Sequence, residues 1–507
     1  MNQIKAGAVL NYVIIALNTL LGLLYTPYML RMLGQNEYGL YSIVASVIAY
    51  LTVLDLGFGN AIIRYTAKFR AEGKEKEQWE MFGMFTVVYS IIGLIALGIG
   101  SLLYFNVDAL FDRTMTAEDL SQARIMILLL IVNLAFTFPL SIFGSIISAY
   151  EDFVFQKIVQ ICRILLSTAT IVILLYIGYK AVAMVVVQTV FNISVLLLNL
   201  FYCKRKIKIK IWFHAFNWPF LKEISIYSFW IFLNAIMDRV YWSTGQFVLG
   251  SLVGTVAVAI FAVAITLQQM YMLFSTSLAS VLLPKITGMV ARHKSDKEIS
   301  NLFISTGRLQ AIVMFIVLAG FTIFGKGFIE IWAGKDYADS YVLTLIFFFA
   351  LFIPLIQNVG IMILQARNQM KFRSVCYVII AAVSLGGQVL LAKARGPVGV
   401  AMAIGGALLL GQGLIMNIYY KRRQKLDIIS FWKQVGRMAI VPVILTGVGL
   451  CLRPYFDFSN PLQLCIGITI FCVIYLPLFW KFSMNKQEKE LILVPVRKIG
   501  NKFHLSL

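Results

Sequence analysis

The chain has 507 residues, of which 60% are hydrophobic and 13% charged. Soluble domains carry about 25% charged residues, so a chain this apolar cannot present a mostly polar surface to water, and lipid is its solvent. The formal net charge of +21 raises nucleic acid or anionic lipid as partners, but the charges sit in short loops between apolar segments, which argues against nucleic-acid binding.

A membrane-spanning helix needs about 20 mostly apolar residues. The first candidate, near 8–33, follows a lone Lys5 and exceeds the 7–15 residues or so of a secretory signal core. It therefore reads as an uncleaved first helix. It spaces Asn11, Asn18 and Tyr25 seven residues apart, on one face. The second, near 39–65, holds Asp55 in Leu54-Asp55-Leu56-Gly57-Phe58-Gly59-Asn60, where two close glycines loosen the helix, and Arg64 near its end. Spans near 81–105, 123–149, 158–178 and 181–203 follow, with Arg163 close to a helix end. The seventh, near 224–250, carries Asn234, Asp238 and Arg239. The eighth, near 255–283, carries Gln268 and Gln269; the ninth, near 303–325, begins close to Arg308; the tenth, near 342–366, carries Gln357 and Asn358. Segments near 374–393, 398–420, 437–453 and 462–480 complete the series, the last two the most weakly marked. The fold class is all-α: a polytopic membrane protein of about fourteen helices.

Basic residues orient the chain. With a cytoplasmic N-terminus, the inside loops take Lys68–Lys76, Lys204–Lys222, Lys285–Lys297, Arg367–Arg373, Lys421–Arg437 and the tail from Lys481, which together hold most of the 44 Lys and Arg. Both termini are then cytoplasmic, and the positive charge is mostly topogenic, with membrane lipid as its partner. Six cysteines lie mostly within apolar segments without a CxxC pair and read as small hydrophobes. His214, His293 and His504 fall in loops or the tail, which argues against an intramembrane metal site or histidine relay.

The chain also repeats itself. The stretch from Val182-Ala183-Met184 to Asn199-Leu200-Phe201-Tyr202 has a counterpart from Val400-Ala401-Met402 to Asn417-Ile418-Tyr419-Tyr420, 218 residues on. Basic runs follow both, and Phe138-Pro139-Leu140 matches Ile353-Pro354-Leu355. Two six-helix lobes are predicted, over 1–210 and 211–425, with two extra helices and a basic tail over 426–507. Each lobe starts on the same side, so the repeat is parallel and its axis runs along the membrane normal.

A charge near the bilayer centre costs about 2.5–3.5 kcal/mol. Arg64, Arg163 and Arg308 lie near helix ends, where snorkelling is the plain account. Asp55, Asp238 and Arg239 lie deeper and leave two readings open: ion pairs between helices, or a polar cavity that meets substrate or coupling ion. The amides Asn18, Asn234 and Gln268 are either glue between helices or part of that cavity's wall. A P-loop is absent from the sequence, and no catalytic, cofactor or metal-binding constellation stands out.

The runs Arg31-Met32-Leu33-Gly34, Glu37-Tyr38-Gly39-Leu40-Tyr41, Leu54-Asp55-Leu56-Gly57 and Ala61-Ile62-Ile63-Arg64-Tyr65 resemble the opening of Wzx-type polysaccharide flippases. These belong to the multidrug/oligosaccharidyl-lipid/polysaccharide exporter superfamily. The resemblance implies a transporter, not an enzyme, in the bacterial cytoplasmic membrane. It would move undecaprenyl-pyrophosphate-linked oligosaccharide from the inner to the outer leaflet by alternating access, for cell-surface polysaccharide synthesis and alongside polysaccharide polymerase machinery. Helices 13 and 14 would form a groove for the lipid tail, by analogy with peptidoglycan-precursor flippases. In that frame Arg239 meets the pyrophosphate, Asp55 holds Arg239 when the site is empty, and Arg64 serves the mouth. Asp55 and Asp238 offset the deep cation, so an acidic sugar is unsupported. Rival readings are an organic-cation exporter of the same superfamily, a lipid-II-type flippase, and a membrane polymerase or ligase, for which the longest outer loop, Asn106–Gln122, is slight.

Overall fold

The structure is a computed structural model and describes all residues except 1–2, 214–215, 281–285, 287, 291, 293, 368, 491–492 and 494–507. The three histidines fall outside the described residues. Among the described residues every regular element is a helix. The first half comprises α1 (Gln3–Leu51), α2 (Phe58–Ala71), α3 (Glu75–Phe105), the short α4 (Val107–Phe111), α5 (Ala117–Ala149), α6 (Phe153–Ile177) and α7 (Ala181–Tyr202). Then come α8 (Trp218–Trp242), α9 (Thr244–Leu252), α10 (Thr255–Ser280), α11 (Asp296–Trp332), α12 (Ser340–Ile356) and α13 (Asn358–Ala366). The chain closes with α14 (Met370–Leu408), α15 (Met416–Arg422), α16 (Ile428–Leu452) and α17 (Pro461–Phe482).

The helix ends carry the chemistry that starts and stops helices. Thr116 and Ser295 form capping boxes with Asp119 and Glu298, each satisfying backbone N–H groups that the first turn leaves open. Asp427 caps α16 by accepting from the Ser430 N–H at 2.9 Å. Hydrogen bonds from Ser430 hold its carboxyl below the usual carboxylate range. Pro219 and Pro461 sit in first turns, where a missing N–H is harmless.

Eleven helical segments are long and apolar enough to cross a membrane. Two of them, Val9–Ala71 and Met370–Arg422, run to 63 and 53 residues, and each is long enough to cross twice. α1 turns at Gly34 and α14 at Gly396, both with non-helical backbone. Trp218–Leu252, which holds Asn234, Asp238 and Arg239, stands outside the eleven. Counting each long segment twice and adding this one gives fourteen crossings, in line with the sequence reading. The cysteines are all free, but only Cys203 and Cys376 are buried. Cys162, Cys451 and Cys465 are exposed on apolar helices, so lipid, not protein, is what surrounds them.

The internal repeat reappears in the backbone. Gly34 and Gly254, with φ of 73° and 127°, each separate the first two spans of a half. Gly178 and Gly396, with φ of 102° and 57°, precede the two copies of the repeated helix at an offset of 218. Lys208 and Lys425, with φ of 57° and 54°, follow the two copies. Left-handed backbone is costly for residues with a side chain, so its return at matching places marks one local design used twice.

By contact the chain forms two compact units, 1–262 with 388–400, and 263–387 with 401–507. The core of the first gathers Phe82, Phe85, Phe138, Ile142, Ile146 and Ile147 between α2, α3 and α5. α8 and α9 belong to it because they pack on α1, α2 and the turn between them. After α7 comes a π-helical turn, Cys203–Ile207, and then a non-helical strap. In it Ile207, Ile209 and Ile211 pack on the core while Lys206, Lys208 and Lys210 stay exposed. The Trp212 N–H donates to the Trp79 carbonyl at 3.1 Å. The strap passes so close to α3 that a Cβ on Gly83 would lie 1.8 Å from the Trp212 carbonyl oxygen.

The second unit packs aromatics: Tyr271 stacks on Phe348 at 4.2 Å and Phe303 meets Phe431 at 4.9 Å. Its inner charge is Arg308, which does not snorkel. Its side chain is 7% exposed and pairs with Glu488, 5% exposed, through bonds of 2.6 and 3.0 Å. The Ser483 carbonyl accepts a further bond at 3.2 Å. The segment from Ser483 to Glu488 thus folds back into the unit.

Candidate functional site

Two helix breaks organise the polar residues of the first unit. α1 ends at Leu51, a 3-10 turn covers Thr52–Asp55, and Leu56 and Gly57 both take left-handed backbone, with φ of 54° and 73°, before α2 begins. The two glycines loosen the helix as expected. Asp55 lies at this break, half-buried, and its Oδ1 accepts a hydrogen bond from the Tyr89 hydroxyl of α3 at 2.8 Å.

The second break falls at Ser243, between α8 and α9. The Tyr50 hydroxyl bonds the Thr244 hydroxyl and lies 3.4 Å from the Arg239 carbonyl oxygen. Tyr50 therefore stitches the end of α1 to the end of α8. Arg239 sits in the last turn of α8, where unpaired carbonyls favour a cation. Asp238 and Arg239 are both exposed. An exposed charge within a membrane faces either lipid, at a cost of about 2.5–3.5 kcal/mol at the bilayer centre, or water. Water is the cheaper of the two surroundings for such a charge. Broken helices at membrane depth are tolerated where they are buried in protein or line a water-filled cavity.

Arg64 lies on α2, exposed, 5.7 Å over its neighbour's ring, Tyr65. The Tyr65 hydroxyl donates to Glu223 of α8 at 3.0 Å. Asp55, Arg64, Asp238 and Arg239 thus lie on elements that pack together. Among the described residues no ion pair joins Asp55 to Arg239; Asp55 is held by Tyr89 instead. The pairing expected from the sequence is replaced by a neutral partner on α3.

The amides divide. Asn18 is exposed on α1, while Asn11 accepts from Lys157 at 2.8 Å and the Tyr25 hydroxyl is buried without a partner among the described residues. The Asn234 side chain lies outside the described set. Gln268 belongs to the second unit, buried, donating to the Met272 sulfur while its Oε1 has no partner among the described residues. Gln357 and Asn417 exchange bonds of 2.8 and 3.2 Å, and Trp432 adds one of 2.9 Å to Asn417. These last three are glue between helices. Tyr50, Tyr89 and Thr244 escaped the sequence reading; Ser243-Thr244-Gly245, a turn-like run inside an apolar span, was the available signal.

The second unit also holds an apolar groove of about 440 Å³ between α11, α16 and α17, lined by Phe324, Val448, Leu452, Ile466, Ile470 and Phe471 among others. α16 and α17 are largely lipid-facing, with 17% of their apolar windows buried, so what borders this groove is lipid. Among the described residues no cluster of His, Cys, Asp or Glu is arranged to hold a metal.

Comparisons with known proteins bear on this architecture. A family model described as "Polysaccharide biosynthesis protein" matches residues 4–290. An "Uncharacterized membrane protein EpsK" of Bacillus subtilis (strain 168) is 22% identical over 518 residues, covering 96% of this chain and 97% of that protein. Among solved structures, "Lipid II flippase MurJ, inward closed conformation" superposes with a TM-score of 0.71 at 16% identity, over 94% of this chain and 98% of that one. The "MATE multidrug transporter DinF-BH" gives 0.56 at 15% identity, over 83% and 95%. At these identities the structural likeness establishes a shared fold.

Proposed function

We propose, from the premise that the chain belongs to the polysaccharide biosynthesis protein family, that it is a flippase for lipid-linked oligosaccharide in the bacterial cytoplasmic membrane. The substrate carries an undecaprenyl pyrophosphate and passes from the inner to the outer leaflet by alternating access between two lobes, 1–210 and 211–425. The observation that carries this reading is Arg239, exposed in the last turn of a helix that breaks at Ser243. An arginine there can grip a phosphate through two parallel N–H bonds. The apolar groove beside α16 and α17 suits the polyprenyl tail, which stays in lipid while the polar head crosses. Arg64 serves the inner mouth, and Asp55, Asp238, Asn18, Asn234 and Gln268 are the proposed polar wall for sugar hydroxyls or a coupling ion. The protein performs no covalent chemistry, and its partners are the lipid-linked substrate, membrane lipid and the polymerase machinery that receives the product.

Arg239→Ala abolishes the appearance of lipid-linked sugar in the outer leaflet at matched protein level, and Arg239→Lys keeps part of it, since a point charge still binds phosphate but the fork is lost. Wild-type flipping by Arg239→Ala would reduce the deep charges to structure. The exposed Asp238 favours one second reading, an exporter of organic cations. Efflux of a cationic dye that depends on Asp238 and Asp55, with no flipping, would put that reading in place of the first.

A further inference from the structure

We infer that the strap joining α7 to α8, together with the ends of α2, α3 and α5, forms a binding site for the phosphate of anionic lipid headgroups. This site lies apart from the transport cavity and does not depend on the substrate proposed above.

The strap alternates. Lys204, Arg205, Lys206, Lys208 and Lys210 fall within seven residues, and the run 203–213 has no acidic residue. The isoleucines between the last three lysines pack inward, which forces those lysines outward in a row. Beside Lys208 is a cavity of about 370 Å³ lined by Arg70, Glu75, Gln78, Trp79, Tyr150 and Lys208 among others. Its walls are fixed in advance. Arg70 donates to the Ala149 carbonyl at 2.9 Å, and its guanidinium lies 4.0 Å over the Tyr150 ring. Gln78, 1% exposed, donates to the Tyr150 hydroxyl at 2.9 Å. The Lys210 ammonium lies 5.0 Å over the Trp79 ring. Of the other nearby acids, Glu72 pairs with Lys74 at 2.8 Å and Asp152 accepts from Tyr202 at 2.9 Å, while Glu77 and Glu151 are exposed. Two cations, Arg70 and Lys208, against one carboxylate, Glu75, leave this preorganised cavity with a net positive charge, and the row of exposed lysines beside it adds to the attraction for an anion of phosphate size.

The ligand's other half follows from the surroundings. α2 and α5 end here, α3 begins here and α7 ends here, so the cavity lies where membrane helices leave the bilayer. Phe201, Phe213 and Trp218, 55%, 63% and 69% exposed, flank the strap. Large rings at such a level are typical of the headgroup zone. An anion held between interfacial aromatics and apolar helix flanks is a lipid headgroup with its chains in the bilayer. Each basic residue near an anionic membrane surface raises affinity roughly fivefold, and salt weakens the effect.

Native mass spectrometry of the full-length protein in detergent tests this, with phosphatidylglycerol, phosphatidylcholine and inorganic phosphate titrated separately. Phosphatidylglycerol is expected to bind several-fold more tightly than phosphatidylcholine. The triple change Lys206→Gln, Lys208→Gln, Lys210→Gln should weaken it by roughly tenfold or more and leave phosphatidylcholine unchanged. Equal binding of the two lipids by the wild type, or undiminished phosphatidylglycerol binding by a folded triple variant, would overturn the inference. So would displacement of phosphatidylglycerol by inorganic phosphate at equal concentration, which would make the ligand a free anion. Should the variant fail to fold, the wild type decides: its phosphatidylglycerol preference vanishes at high salt if the site is electrostatic, and persistence counts against it.

Discussion

Arg308 shows what a single charge demands inside a membrane. Removing one partner of a buried ion pair leaves an uncompensated charge, at a cost of about 3–5 kcal/mol, whereas replacing both with apolar residues is often neutral. Glu488→Gln should therefore lower the denaturation midpoint of the detergent-solubilised protein sharply, and Arg308→Met with Glu488→Leu should restore most of the loss. A double variant no more stable than Glu488→Gln would show that the pair's worth lies elsewhere. The sequence exposed Arg308, Asp55, Asp238 and Arg239 because charge in an apolar run is conspicuous. It hid their partners, because a partner is a matter of distance in space: Glu488 reads as one acid in a solvated tail, and Tyr89 as one of 23 tyrosines. The charges themselves were legible, and their partners were not.

Helix breaks set the next scale. Gly57 takes a φ of 73°, which costs a residue with a Cβ about 1–2 kcal/mol. Gly57→Ala should destabilise the protein by that order, read as a shift in thermal midpoint, and should relax the turn that presents Asp55. Gly83 acts by close approach. Gly83→Ala cannot keep the strap where it lies, because the new Cβ would fall 1.8 Å from the Trp212 oxygen. Limited proteolysis should then cut between Lys204 and Lys210 at least several-fold faster than in the wild type, and an unchanged rate would mean that α3 yields instead. The break at Gly57 was readable because its two glycines, Gly57 and Gly59, lie between the polar residues Asp55 and Asn60. The break at Ser243 was not, since Tyr50 of α1, far along the chain, holds it in place.

For the molecule as a whole, the span count and the repeat were legible because hydropathy and sequence register need no contacts. The resemblance carried by residues 31–65 is borne out by the family match over 4–290. The compact units were not legible: 218–262 follows the first repeat in sequence yet packs with it. Sidedness remains a prediction from basic loops. A reporter fused after Lys208 should read cytoplasmic and one fused near Asp112 external, and the reverse at both sites would invert the orientation. Val182 should superpose near Val400 when spans one to six are laid on seven to twelve by rotation about the membrane normal, and a fit by inversion alone would refute the parallel repeat.

The Arg308–Glu488 pair also sets a clock. The two residues are 180 positions apart, and ribosomes add about 5–20 residues per second. Arg308 enters the bilayer and waits roughly 10 to 40 seconds before its carboxylate is even made. During that interval α11 carries a cation with no counter-ion, so it must rest near the interface or borrow a lipid phosphate. The second unit can therefore close only after the last helix is in place, and its assembly is finished by the tail.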